Sequence, residues 1–128
     1  GDAVYIAKGS WLNALGGLII EDQVVFAPYV VISTMQHVFK DGSVRFGGSI
    51  PKSVIIKRGT WLAAHSAVKC GVTVGAGNII AANAFVVKNT LDNAIMGGVP
   101  AVFIKENKDG DTKDTVKSRK DFLKGNNE

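Results

Sequence analysis

The stretch Ile56 to Val86, IKRGTWLAAHSAVKCGVTVGAGNIIAANAFV, has an aliphatic residue at every sixth position. These residues, called frame positions below, are Ile56, Leu62, Val68, Val74, Ile80 and Val86. An amphipathic helix would instead place apolar residues at i, i+3, i+4 and i+7. A second row, two positions before the first, holds mostly small or β-branched residues: Val54, Thr60, Ser66, Val72, Asn78 and Ala84. Two interleaved rows with a period of six therefore decide the fold class.

A hydrophobic period of six is typical of a hexapeptide β-helix, in which three short strands form a triangular coil of about eighteen residues. Each side of the coil needs a bulky aliphatic residue to fill the interior, and burying it contributes roughly 1.5–3 kcal/mol. Because one coil cannot bury its own face, coils must stack. The alternative is a β-sandwich with accidental spacing, whose strands would alternate with a period of two. The sequence predicts an all-β fold, a parallel β-helix.

The repeat extends toward the N-terminus with one irregularity. Ile6, Leu12 and Leu18 are six apart but two residues out of frame with Ile20, and we expect Gly16-Gly17 to absorb this slip. The first coil is therefore irregular, or it is a cap. From Ile20 the frame continues regularly through Phe26 and Ile32.

Residues 33–53 interrupt the repeat. They show no period of six, and they contain the turn signals Asp41-Gly42 and Gly47-Gly48. An excursion of about twenty residues in a compact domain is either functional or disordered. Since this one carries a histidine, an arginine and two phenylalanines, we expect a functional loop thrown out of one coil.

The C-terminal part is expected to leave the repeat. Residues 90–104 depart from it through Gly97-Gly98-Val99-Pro100. We assign residues 1–106 to one β-helix domain. Residues 107–128 form a charged tail, which we expect to be a short helix or disordered because it has few large apolar residues.

Composition narrows the function classes. The net charge of +4 comes without clustered arginines or interleaved aromatic residues, so a nucleic acid is not the expected partner. No run of 18 apolar residues predicts a membrane span, and no signal peptide is visible. The single cysteine, Cys70, favours a reducing compartment, and we expect a cytoplasmic protein. Cys70 has no obvious base beside it that would make it a nucleophile.

Two histidines are the candidates for acid–base chemistry. His37 lies in the loop, where a side chain held by a rigid scaffold can act as a general base near neutral pH. A bystander histidine explains its position equally well from spacing alone. His65 is expected to be an outward, solvated residue. Trp61 directly precedes a frame position, so its side chain points outward. Two histidines and one cysteine do not form a convincing zinc site.

Three parts of the chain together resemble a known family. They are the segment GTWLAAHSAVKCGVTVGAGNIIAANAFVVKNTLDNAIMGGVPAVFIKE, the upstream stretch IIEDQVVFAPYVVISTMQH, and the gap from His37 to Trp61. They resemble the hexapeptide-repeat acetyltransferases, above all the branch of galactoside, maltose and surface-polysaccharide O-acetyltransferases. The similarity covers residues 20–105 without a gap.

This resemblance implies a left-handed parallel β-helix that assembles as a homotrimer, with acetyl-CoA as acyl donor in the cleft between two subunits. It implies acetyl transfer to a sugar hydroxyl, in surface polysaccharide or saccharide modification, and no metal. His37 falls on the family's catalytic histidine. The implied CoA-binding residues are Trp61 beside the thioester arm, Ala64 and Ala82 along pantetheine, Val87 and Lys88 near the CoA tail, and Lys105 facing the nucleotide phosphates. The candidates for the acceptor side are Tyr5, Met35, Phe39 and Arg45.

The chain departs from the family at several positions, and other functions stay open. Ala81-Ala82-Asn83 replaces the usual Gly-Ala-Gly, Val102 stands where a basic residue is common, and Ala7 stands near an acceptor-binding asparagine of the galactoside branch. We also expect no counterpart of that branch's N-terminal helical segment. The same base could serve an amino sugar, giving an N-acetyltransferase. A γ-class carbonic anhydrase relative would need three histidines, and a non-catalytic trimeric scaffold would need neither His37 nor Trp61.

Overall fold

A computed structural model describes residues 1–109 as a triangular column of short parallel strands. Three sheets run along the column as its faces, and the chain visits them in turn, except on the last coil, which has no strand on face C. Face A contains β1 (Tyr5–Ile6), β4 (Val25–Phe26), β9 (Trp61–Leu62), β12 (Ile79–Ile80) and β14 (Ala94–Gly97), with antiparallel β15 (Val102–Glu106) at its edge. Face B contains β2 (Trp11–Asn13), β5 (Val31–Ser33), β10 (Ala67–Val68) and β13 (Phe85–Val86). Face C contains β3 (Leu18–Ile20), β8 (Val54–Ile56) and β11 (Thr73–Val74).

The core consists of the two rows that the sequence predicted. Every frame position from Ile56 to Val86 is at most 2% exposed, and the second row from Val54 to Ala84 is at most 3% exposed. Neighbouring coils are in register at intervals of eighteen residues, as in the pairing of Trp61 with Ile79. The predictions of an all-β fold and of stacked parallel strands are confirmed for the described residues.

The corners of the column form a third row with a period of six, which the sequence analysis missed. Eleven residues, each three positions before a frame position or its equivalent in another coil, have φ between +54° and +100°. Seven of them are glycine or asparagine, which tolerate this left-handed conformation, whereas other residues pay about 1–2 kcal/mol. The eleven residues are Ala3, Gly9, Gly17, Gln23, Tyr29, Gly59, His65, Gly71, Gly77, Asn83 and Asn93.

The two ends of the column depart from the regular interval. Leu12 pairs with Ile32 and Ile20 pairs with Ile56, so the two extra residues of the first coil lie between Leu12 and Ile20, around Gly16-Gly17 as predicted. The expectation that Leu18 continues the row of Ile6 and Leu12 is wrong, because Leu18 pairs with Val54 of the second row. At the other end, the expectation that residues 90–104 leave the repeat is wrong in part. The strand β14 still stacks on β12, but Ile95 follows its partner Ile79 after sixteen residues, which hid it from a period-six pattern.

A buried polar cluster closes the shortened last coil. The Asn78 side chain is fully buried, and its Nδ2 donates to the carbonyl oxygens of Leu91 at 2.7 Å and Ala76 at 3.1 Å. The Thr90 hydroxyl donates to Asn78 Oδ1 at 2.7 Å and accepts the Gly75 N–H at 2.9 Å. Because these groups bond one another, the chain can turn into β14 without leaving their buried polar atoms unbonded.

Ile56 and Ile55 give a matched test of which side chains the core depends on. Ile56 is completely buried, whereas Ile55 points outward from face C and is half-buried. Truncating Ile56 to Ala leaves a cavity, so we expect the free energy of unfolding to fall by about 2–5 kcal/mol. Ile55→Ala should cost clearly less. Urea denaturation measures both, and equal losses would contradict this assignment of the two side chains.

Candidate active site

The interruption at residues 33–53 contains an antiparallel hairpin. Its strands are β6 (Met35–His37) and β7 (Ser49–Pro51), paired so that His37 lies opposite Ser49. At the tip, Lys40 and Ser43 bridge across Asp41-Gly42, whose φ values are 50° and 78°. Two positive φ angles are typical of the type I′ turn, which matches the twist of the strands. The hairpin therefore carries His37 on a hydrogen-bonded strand.

The His37 side chain is exposed on this strand, and Ser49 is its partner. Ser49 Oγ lies 3.4 Å from His37 Nδ1, beyond the usual 2.7–3.2 Å of an N–H···O hydrogen bond, so the contact is weak. When Nδ1 carries the proton and donates it to Ser49, Nε2 keeps a free lone pair. That tautomer is the one a general base requires. Sequence reasoning missed Ser49, although the Asp41-Gly42 signal could have predicted a hairpin and hence a residue opposite His37.

Trp61 lies outward on face A, as its position beside Leu62 predicts, and it is 44% exposed. Face A continues from Trp61 through Ile79 and Ile95 to Lys105 on the antiparallel strand β15. Three strand spacings separate Trp61 from Lys105, a distance of about 14 Å. The structure thus aligns the candidate for the thioester arm with the candidate for the phosphates on one surface.

The other candidates for binding CoA lie at two corners of the column. Ala64 and Ala82 occupy the same corner between faces A and B in successive coils, joined through the bond from the Asn83 N–H to the Ala64 carbonyl at 3.1 Å. Ala64 is half-buried and Ala82 is exposed. Val87 and exposed Lys88 follow β13, where the chain leaves face B at its other edge. The two alanines therefore adjoin the Trp61 surface, whereas Val87 and Lys88 lie across face B from it.

The candidates for the acceptor side divide into two groups. Met35, Phe39 and Arg45 all belong to the hairpin segment that carries His37, and Phe39 is 71% exposed. The Arg45 guanidinium lies over the Phe46 ring at 5.3 Å, a cation–π contact. Tyr5 lies elsewhere, on the first strand of face A in register with Val25.

The side chains of His65 and Cys70 make contacts within the column. The His65 ring, predicted to be solvated, stacks on Tyr29 with ring centres 5.3 Å apart and an interplanar angle of 18°. Both residues are left-handed corners, so the stacking holds two strained positions together. Cys70 is buried, and its Sγ lies 3.8 Å from Gln36 Oε1.

Residues 1–109 hold no group of three or more His, Cys, Asp or Glu side chains arranged to bind a metal ion. In the same range, no helix has the length and apolar character needed to cross a membrane.

Sequence comparison finds curated relatives. The chain is 30% identical over 96 residues to a galactoside O-acetyltransferase of Lactococcus lactis, covering 75% of this chain and 46% of the relative. The corresponding enzyme of Escherichia coli K12 is 30% identical over 92 residues, covering 72% of this chain and 45% of the relative. The chain thus spans about half the length of the curated relatives it matches. No protein-family model matches it.

Solved structures share the fold. A hexapeptide-repeat acetyltransferase from Vibrio cholerae, complexed with acetyl coenzyme A, superposes with a TM-score of 0.78 and 26% identity over 85% of this chain and 60% of its own. A maltose O-acetyltransferase from Clostridium difficile has a TM-score of 0.80 and 24% identity over 85% of this chain and 58% of its own. At that identity the second match supports the fold alone.

Gly47 gives a test of how tightly the hairpin is closed. A Cβ added at Gly47 would overlap the carbonyl oxygen of Val38, so we expect Gly47→Ala to force the two hairpin strands apart. The overlap should lower the free energy of local opening by about 1–3 kcal/mol. Faster hydrogen exchange at the Val38 amide, which bonds the Gly48 carbonyl at 3.0 Å, would report this opening.

The control for this test is Gly42→Asn at the hairpin tip. A Cβ at Gly42 meets nothing within 4 Å, and asparagine tolerates its positive φ. We expect unchanged exchange at Val38 in this variant. Equal exchange in Gly47→Ala and wild type would show that the hairpin is not closed at this point.

Proposed function

Because the chain belongs in sequence and fold to the hexapeptide-repeat acetyltransferase family, we propose that it is an acetyl-CoA-dependent O-acetyltransferase acting on a sugar hydroxyl. The observation that carries this proposal is the exposed His37 imidazole, fixed on a hairpin of a column that matches this family. The acceptor we propose is a saccharide, free or in a surface polysaccharide. Acetyl-CoA supplies the acyl group, and the reaction belongs in the cytoplasm, where acetyl-CoA is available. We also propose that the helix is left-handed, as in the family.

In the proposed reaction His37 is the general base. Its Nε2 takes the proton of the acceptor hydroxyl while that oxygen attacks the thioester carbonyl of acetyl-CoA. The tetrahedral intermediate collapses, the C–S bond breaks, and the imidazolium returns the proton to the departing CoA sulfur. Ser49 holds the Nδ1 proton in the tautomer that keeps Nε2 free. The products are an acetylated sugar and CoA, and the imidazole is regenerated.

We propose that acetyl-CoA lies along the surface from Trp61 to Lys105. The exposed Trp61 indole offers an apolar wall for the thioester arm, and the Ala64 and Ala82 corner lets pantetheine approach the backbone closely. The Lys105 and Lys88 ammonium groups supply positive charge for the phosphates. The spacing of about 14 Å between Trp61 and Lys105 suits one extended ligand.

Face A gives a physical reason for a homotrimer, which we propose places each active site between two subunits. The outward positions on its five parallel strands, and those directly after four of them, are all uncharged and, apart from the tyrosine, hold apolar residues or glycine: Tyr5, Ala7, Val25, Ala27, Trp61, Ala63, Ile79, Ala81, Ile95 and Gly97. Face B carries Lys69 at an equivalent position, and face C carries Glu21 and Lys57. A continuous apolar patch of this extent is typical of a protein interface. The hairpin leaves the column between faces B and C, so we propose that a neighbouring subunit brings its hairpin to the CoA surface on face A.

His37→Ala tests the catalytic assignment against the other histidine of the chain. Removal of the base should lower kcat by about 10²–10⁴-fold. CoA affinity should stay unchanged, because Trp61 and the lysines remain. The assay follows release of the CoA thiol with acetyl-CoA and a panel of sugars, amino sugars and glycan fragments. The control is His65→Asn, which suits the left-handed corner and should keep kcat; full activity in His37→Ala would refute the role of the base.

Two valines test the assembly. Val25 on face A and Val31 on face B have the same place in successive hexapeptides and are 38% and 41% exposed. Arginine at position 25 would bury a charge in the proposed interface, so Val25→Arg should convert trimers to monomers. Val31→Arg should stay trimeric. Sedimentation equilibrium reads the mass directly, and a trimeric Val25→Arg protein would exclude face A as the contact.

A further inference from the structure

Thr34 connects the hairpin to the column at the point where β5 ends and β6 begins. Its side chain is completely buried. The hydroxyl donates to the Asn13 carbonyl oxygen at 2.7 Å and accepts the Gly16 N–H at 2.8 Å. Its carbonyl oxygen accepts the Lys52 N–H at 2.8 Å, just beyond the end of β7. One residue therefore joins both ends of the hairpin to the first coil.

We propose that Thr34 is the positioning residue for His37, a role that rests on the proposed function of the chain. Backbone bonds hold the base of the hairpin at both ends: the Thr34 N–H donates to the Asn13 carbonyl oxygen at 3.2 Å, and the Gly71 N–H donates to the Lys52 carbonyl oxygen at 3.1 Å. The Thr34 hydroxyl adds a second bond to Asn13 and the contact to the Gly16 N–H, which no backbone bond supplies, and so limits how far the hairpin can tilt. Both of its partners belong to the column and not to the hairpin.

The first coil is shaped for this contact. Gly16 lies in the segment with the two extra residues, and a Cβ at Gly16 would overlap the Thr34 carbonyl oxygen. The irregularity in the coil therefore brings a backbone N–H to the Thr34 hydroxyl at a distance that only glycine permits. No other residue type at position 16 would allow so close an approach.

The position of the imidazole depends on this base. His37 is three residues from Thr34, a span of about 10 Å along an extended strand. A small rotation at the base therefore shifts the imidazole by a larger distance. Since a displacement of about 1 Å at a reacting group can cost about 100-fold in rate, loss of the hydroxyl should reduce turnover without touching the CoA surface.

The test compares Thr34→Val, which keeps the shape and removes the hydroxyl, with Thr34→Ser, which keeps the hydroxyl. We expect Thr34→Val to lower kcat about 10- to 100-fold. The KM for acetyl-CoA and the calorimetric affinity for CoA should remain as in wild type. Thr34→Ser should restore most of kcat. A loss in Thr34→Ser as large as in Thr34→Val would show that packing and not the hydroxyl is responsible.

Thr60→Val is the matched control for stability. Thr60 is also fully buried, and its hydroxyl donates to the Gly75 carbonyl oxygen at 2.8 Å and accepts the Asn78 N–H at 3.3 Å. It lies on the column, away from the hairpin base. We expect both valine variants to lower Tm and only Thr34→Val to lower kcat. Equal losses of kcat would overturn the positioning role.

A double variant decides whether Thr34 acts through His37. If it does, Thr34→Val should cost little in a His37→Ala background, because residues acting as a unit are not additive. A full further loss would overturn the proposal. Gly16→Ala displaces the Thr34 carbonyl, because the added Cβ overlaps its oxygen, and it should also lower kcat. Wild-type turnover in Gly16→Ala would count against the proposal. A wild-type protein that transfers no acetyl group to any acceptor would instead refute the proposed function itself.

Discussion

The structure depends on one constraint: no coil of this chain can bury its own inward side chains. Each coil supplies two or three short strands, and the frame and second rows become inaccessible only when another coil lies above or below. The left-handed corners serve this stacking, because they turn the chain sharply enough for successive strands to fall into register. Stability is therefore collective, and it tolerates the strained corners at Gln23, Tyr29 and His65.

This constraint separates the fold from the chemistry. The interior rows are occupied by packing, so everything that can meet a ligand lies on the outward positions or on the hairpin. The parallel strands of face A provide an uncharged surface with a tryptophan, and the hairpin provides an imidazole held on a paired strand. The column is rigid and holds the paired strand of the hairpin in place. His37 therefore needs only a weak partner, Ser49, to fix its side chain.

The sequence predicted the column well because the signal for burial is periodic. Every buried frame position from Ile56 to Val86 was predicted. Ile95 was missed because the last coil is two residues short, which moves it out of the period of six. Gly59, Gly71, Gly77 and Asn83 could have predicted the corner row. It was missed because Tyr29 and His65, which do not favour a positive φ, occupy other corners of the same row. Ser49 and Thr34 could not be assigned, because their contacts join residues that only the folded hairpin brings together.

The hairpin enters and leaves the column at two neighbouring points, Thr34 and Lys52, whose backbones are bonded to each other. A segment attached in this way behaves as an exchangeable cassette. Its length and side chains can diverge without re-registering any coil, since the helical frame resumes at Val54 as though nothing had been inserted. The residues between these two points can therefore be exchanged while the side chains of face A, across the column, stay unchanged.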